Sequence, residues 1–218
     1  MATRIRYSRD RDAMRRAILD AARRLFVRDG YSRVSMRRIA DRIDYSAAAL
    51  YLYFPAKADI FFALAQDGLE RFGAAMAAPG REDDLLASLE DRFWRYYEFS
   101  KKQPEYYWLM FVDRSVPRIA QDWDRLAVVS KTRDEGVEMV QRCIDAGLFP
   151  RGTSAAAAFH VLGTAIHGAA VHRLCGRPFT RRDADLFARN TLRTAIAGLR
   201  AGVALDVPPG LKHGGRVE

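Results

Sequence analysis

Residues 30–61 read GYSRVSMRRIADRIDYSAAALYLYFPAKADIF, and the spacing of their apolar positions decides the fold. Ser35 precedes a short run in which Ile39, Ala40 and Ile43 share one helical face, as an N-cap residue should. Asp44-Tyr45-Ser46 interrupts the run. A second serine, Ser46, then opens another short helix that carries Leu50 and ends near Tyr53, ahead of Pro55. Ala40 is small where the two helices cross, and Ile39, Ile43 and Leu50 can make a miniature core. Asp44 occupies the turn, where glycine is easiest and aspartate is tolerated in left-handed geometry. Two short helices joined by a tight turn and seated on a third predict a helix-turn-helix.

Outward from this stretch the pattern stays helical. Met14, Ile18, Leu19, Ala22, Leu25 and Phe26 fall on one face between Asp10 and Asp29, and Gly30 stops that helix. A fourth helix is expected from Ala56 to near Ala78, closed by Pro79 and Gly80. Five more follow near 82–101, 104–114, 119–146, 153–175 and 181–203, broken at proline or glycine positions. No period-two strand pattern and no fixed repeat is present. The expectation is an all-α protein of about nine helices, with a three-helix unit at 1–56, a larger helical body at 57–204 and a disordered Pro/Gly-rich tail at 205–218.

Charge divides the chain in the same place. Residues 1–57 hold fourteen Arg and Lys against six Asp and Glu, while 58–218 hold twenty-two against twenty-one, so the net +9 sits almost wholly at the front. Such a surplus favours a polyanion partner there. The two cysteines, Cys143 and Cys175, form no spaced framework, and no secretory leader pattern follows the start. Both point to a reducing cytoplasm. The apolar stretch 155–171 is built of small residues and interrupted by two histidines and a threonine, which argues against a membrane span.

The ordered motif of 30–61, with its Gly-Tyr pair, capped helix bearing Ile39-Ala40, Leu50-Tyr51-x-Tyr53-Phe54 and then Lys57, resembles the TetR family of transcriptional repressors. Asp44 replaces the usual turn glycine, Ala49 stands where Ser or Thr often touches phosphate, and Tyr53 where His is frequent. The resemblance implies a homodimer whose reading helices, about 34 Å apart, bind a pseudo-palindromic double-stranded operator. By the same resemblance Ser35 and Arg37 reach the backbone or a groove edge, and Ser46 starts the reading helix. Ala47 and Ala48 face the bases, where they offer methyl groups but no bidentate pair. Tyr51 and Tyr53 place hydroxyls on phosphate, and Lys57 adds charge at a helix N-terminus. Leu50 and Phe54 belong to the core.

The resemblance also implies an effector site in the body and a dimer interface made by the last two helices, which are rich in Ala and Gly. Residues 93–111, FWRYYEFSKKQPEYYWLMF, are crowded with aromatics. Phe93, Trp94, Tyr97, Tyr107, Trp108, Phe111 and Trp123 either line a cavity for a small apolar or aromatic ligand or form plain core. Glu98, Glu105 and Asp113 among them admit a cationic ligand or are surface charges. His160, His167, His172 and Cys175 lack a second close pair, so neither metal nor cofactor is expected. Nothing pairs a nucleophile with a base, which sets an enzyme aside. The remaining alternative is an architectural DNA-binding protein without ligand response.

Overall fold

The computed structural model describes residues 2–77, 84–113, 115, 127–176 and 180–206, with side chains from Arg11 onward except at Arg181. Trp123, positions 119–126 of the expected seventh helix and tail residues 207–218 lie outside that set. Among the described residues there are nine α-helices and no strand. They are α1 (Ala2–Asp29), α2 (Met36–Arg42), α3 (Ala47–Tyr51), α4 (Lys57–Met76), α5 (Leu85–Lys102), α6 (Pro104–Phe111), α7 (Ala127–Asp145), α8 (Ala155–Leu174) and α9 (Arg181–Arg200), with a single 3-10 turn at Tyr31–Arg33. The first helix begins well before Asp10, because the Arg-rich segment ahead of it continues the helix without a breaker.

The chain forms two compact units. One comprises Met1–Arg71 with Gln103–Trp123 and so contains α1 to α3, most of α4, and α6. Its core is Ile18, Ala22, Leu25 and Phe26 of α1, Ile39 and Ala40 of α2, Leu50, Phe54, and Ile60, Phe61 and Leu64 of α4. Gly30 ends α1 at φ +80°, its N–H closing on the Phe26 carbonyl. The helix α6 lies against α1 and α4. Gly68 makes room for it, since a Cβ there would stand 2.9 Å from the Tyr106 ring. Tyr106 is held between the guanidinium groups of Arg23 and Arg71, and its hydroxyl donates to Asp67.

The other unit comprises Phe72–Lys102 with Asp124–Glu218. Here α8 is central, burying Ala157, Ala158, Leu162, Ile166 and Ala170 among α5, α7 and α9. Serine and threonine start α8 and α9: Ser154 accepts from the Ala157 N–H, and Thr180 forms a reciprocal capping box with Asp183. Gly136 lets α7 approach α8 closely, because a Cβ there would run into the Phe159 ring. Phe72, Tyr96 and Phe99 pack edge to face.

Candidate nucleic-acid interface

Local chemistry builds the two-helix unit. The Ser35 hydroxyl accepts from the Arg38 N–H at 3.3 Å and the Ser46 hydroxyl from the Ala49 N–H at 3.1 Å, so both short helices are capped where the sequence places serine. Between them the Tyr45 N–H returns to the Ala40 carbonyl at 3.0 Å and the Asp44 N–H to the Asp41 carbonyl at 3.5 Å. This pair of bonds is a Schellman closure, which needs a left-handed residue after the C-cap. Asp44 supplies it at φ 58°, alone among the described non-glycine residues in having positive φ.

Burial then orients α3. Leu50 and Phe54 point inward, and Arg15 of α1 stacks over the Phe54 ring at 4.7 Å. Ile43 is half-buried, at the margin of the miniature core rather than inside it. Ala48, Tyr51 and Leu52 are exposed, and Ala47 and Tyr53 are half-buried. Leu52 is 80% exposed. It stands four residues after Ala48, still in right-handed helical backbone, so both lie on one outward face. Single-residue spacing hides Leu52, because the sequence around it alternates apolar and aromatic residues without a polar marker. The signal that finds it is the i, i+4 relation to an alanine already placed outward.

The expected contact residues of α2 and the turn, Ser35, Arg37 and Ser46, are all exposed, as are Arg33 and Arg42. Arg38 is tied down: it donates to Asp29 at 2.6 Å and to the Arg33 carbonyl at 2.9 Å. Asp29, bonded by Arg28 and also by Arg38, has its carboxyl held down to about 2. This joins the end of α1 to α2.

Lys57 is engaged within the chain. Its ammonium donates to the carbonyls of Tyr31 and Val34, each at 2.8 Å, and sits 4.1 Å from the centre of the Tyr31 ring. Burial pushes its pKa down. Two of its three protons are engaged within the chain, which leaves one for a partner. Tyr31 is in turn packed between Phe26 and Phe61, and its N–H donates to the Ser115 hydroxyl at 3.0 Å.

The aromatics expected to meet a ligand fall into both units. On α5, Phe93 is buried against Phe159, and Trp94 is half-buried with the Arg189 guanidinium 3.8 Å over its ring. Tyr97 is fully buried, its hydroxyl donating to Asp185 at 2.9 Å, and burial followed by that carboxylate raises its pKa. On α6, Tyr107 is fully buried, while Trp108 and Phe111 are half-buried. These three belong to the unit that contains the two-helix motif. The acidic neighbours are engaged: Glu98 with Lys101 at 2.8 Å, Glu105 with Arg23 at 2.9 Å, and Asp113 with the Ser115 N–H at 2.8 Å.

His167, Gly168, Val171, His172 and Cys175 border an open hollow along α8. Among the described residues no group of three or more His, Cys, Asp or Glu could hold a metal ion, and no helix is long and apolar enough to cross a membrane.

A capped helix, a left-handed turn and a second capped helix with its outer face open, set at the basic end of an all-helical chain, define a helix-turn-helix DNA-binding regulator. Residues 18–64 match the model of the bacterial regulatory proteins, tetR family. The HTH-type transcriptional repressor Rv1474c of Mycobacterium tuberculosis is 33% identical over 142 residues, which span 60% of this chain and 75% of that protein. AcnR of Corynebacterium diphtheriae, also an HTH-type transcriptional repressor, is 32% identical over 83 residues, 37% of this chain and 44% of AcnR. The crystal structure of MexZ, a repressor of Pseudomonas aeruginosa, shares the fold with a TM-score of 0.68 at 19% identity, over 87% of this chain and 96% of MexZ. The chain belongs to the TetR family. Its family and relatives are transcriptional regulators and not enzymes.

Proposed function

We propose that this chain is a cytoplasmic homodimeric repressor that binds a pseudo-palindromic operator and is released by a small apolar or aromatic ligand. One observation carries the DNA part. The unit from Ser35 to Phe54 is closed by its own caps and core, yet turns Ala48, Tyr51 and Leu52 outward beside exposed arginines. Residues 1–56, with Lys57 at the boundary, read DNA, and 57–204 carry the dimer interface and the effector. Ser35, Arg37, Ser46, Tyr51, Tyr53 and the remaining proton of Lys57 meet the sugar-phosphate backbone or groove edge, and Ala47 and Ala48 meet the bases. The similarity to Rv1474c, itself named a transcriptional repressor, supports repression over activation.

Dimerisation is supported by α8 and α9. Their outer faces expose Val161, Thr164 and Gly168 on the first and Leu186, Phe187 and Ala197 on the second, a small-residue and apolar surface suited to close helix packing. The effector is met by Phe93, Trp94 and Tyr97 of α5, the expected aromatics that belong to the unit of α8 and α9. It acts by shifting α4 and so the separation of the two reading heads, which requires tighter binding to the DNA-free state.

Fluorescence anisotropy on a duplex selected from a random pool tests the DNA reading. Tyr51, 51% exposed, can be cut to alanine without loss of core. Tyr51→Ala should weaken binding by about tenfold, the loss of one charge-assisted contact, with an unchanged melting curve. Unaltered affinity, or a monomer by sedimentation equilibrium, overturns this assignment. A screen of lipophilic and aromatic compounds by thermal shift tests the ligand part, since stabilisation follows ligand concentration over affinity. If no compound both raises the melting point and releases DNA, the chain is an architectural DNA-binding protein.

A further inference from the structure

The recognition surface has an unusual chemistry for a DNA reader. From Tyr45 to Ala56 there is no charged side chain at all, and no Asn or Gln. The side chains that make bidentate pairs, Arg or Lys to guanine and Asn or Gln to adenine, are therefore absent from the reading helix. Its outward face instead carries the methyl of Ala48 and, one turn on, the isobutyl group of Leu52. An exposed leucine alone means little. This one is 80% exposed on a helix whose other leucine, Leu50, is 1% exposed, so packing within the chain does not account for it. The Ser46 hydroxyl is engaged as a cap for the Ala49 N–H. The neighbouring cations Arg37 and Arg42 are on α2, outside the reading helix, and Asp44 is fixed in the left-handed turn.

Resting on the DNA-binding function proposed above, we infer that Ala48 and Leu52 form a methyl-reading strip, and that sequence preference comes from the C5-methyl groups of thymines in the major groove. Thymine presents there one acceptor and one methyl, and only the methyl offers an apolar surface. A strip of apolar side chains gains affinity where it covers such a methyl and loses it where it covers the polar edge of cytosine. The surrounding arginines hold the duplex by its phosphates, which carry no sequence information. The half-site is accordingly centred on thymines, with guanine unimportant beneath α3.

The test uses the full-length protein and a duplex selected from a random pool. Each thymine of the enriched half-site is replaced singly by deoxyuridine, which removes the methyl and keeps every hydrogen-bonding group. Binding is expected to weaken by about fourfold at one or two thymines, the factor for burying one methyl-sized group. Placing 5-methylcytosine at those positions should bind better than cytosine. In Leu52→Ala or Ala48→Ser protein, both of which alter exposed side chains only, the gap between thymine and uracil should shrink at the matching position. Equal affinity for thymine and uracil duplexes, or a gap unchanged in both variants, overturns methyl reading while leaving DNA binding intact. If no duplex is enriched at all, DNA recognition itself fails, and methyl reading with it.

Discussion

Lys57, proposed above to meet the DNA backbone, is also tied into the fold. Its two bonds to the Tyr31 and Val34 carbonyls and its place over the Tyr31 ring fasten the turn ahead of α2 to the start of α4. Lys57→Met should therefore lower stability by about 1–2 kcal/mol, the worth of charge-assisted bonds and a cation–π contact, in a urea titration. Its loss of DNA affinity is then larger than that of Tyr51→Ala, because the variant loosens α2 as well as removing a charge. Asp44 provides the complementary case. At φ 58° a β-branched residue is strained, so Asp44→Val should destabilise by about 1–2 kcal/mol, whereas Asp44→Gly should keep or slightly raise stability. Equal unfolding midpoints for the two variants would remove the left-handed turn as their cause.

At the scale of elements, close approach is set by residues that lack a side chain. Gly136 lets α7 rest on α8 at Phe159, and Gly68 lets α6 rest on α4 at Tyr106. Gly136→Ala drives a methyl into the Phe159 ring and should cost about 1–3 kcal/mol, as overpacking does. The double variant Gly136→Ala/Phe159→Leu should lose less than the sum of the single changes, measurable as coupling in a denaturation cycle. The α6 helix belongs to the unit that holds the two-helix motif. Its Tyr106 is gripped by Arg23, Arg71 and Asp67, and the segment beyond it reaches Tyr31 through Ser115, so its fixed contacts lie with α1, α4 and the turn before α2.

For the molecule as a whole, the field is uneven and the interior holds a titratable group that matters near neutrality. His167 on α8 is half-buried with its Nδ1 3.0 Å from the Tyr96 hydroxyl, and burial pushes its pKa below the ordinary histidine value. Between that lowered value and about 6.5 the unfolded chain binds a proton that the folded chain does not, so stability rises with pH across this window and falls as pH drops through it. The urea midpoint should fall from pH 7.5 to pH 5.5 in the parent protein and fall less in His167→Gln. A parallel loss in both would assign the pH dependence to other groups. The Asp29 carboxyl acts in another range: held down to about 2, its contribution is complete above the ordinary carboxyl range and is lost only as pH falls towards that value.

The sequence alone determined the features governed by neighbours within about one turn of helix: the serine caps at 35 and 46, the left-handed turn at Asp44, the inward Leu50 and outward Tyr51, and the basic front end. Those follow from local backbone chemistry and period, which a linear reading carries. Tertiary structure decided the rest. Lys57 meets carbonyls 23 and 26 residues away, Tyr106 meets Asp67 across 39, and Tyr97 meets Asp185 across 88. No spacing rule links such pairs, because only packing brings their helices together. For the same reason the aromatics of 93–111, continuous in sequence, were divided: Gln103 and Pro104 end one helix and begin another, and the two halves joined different compact units.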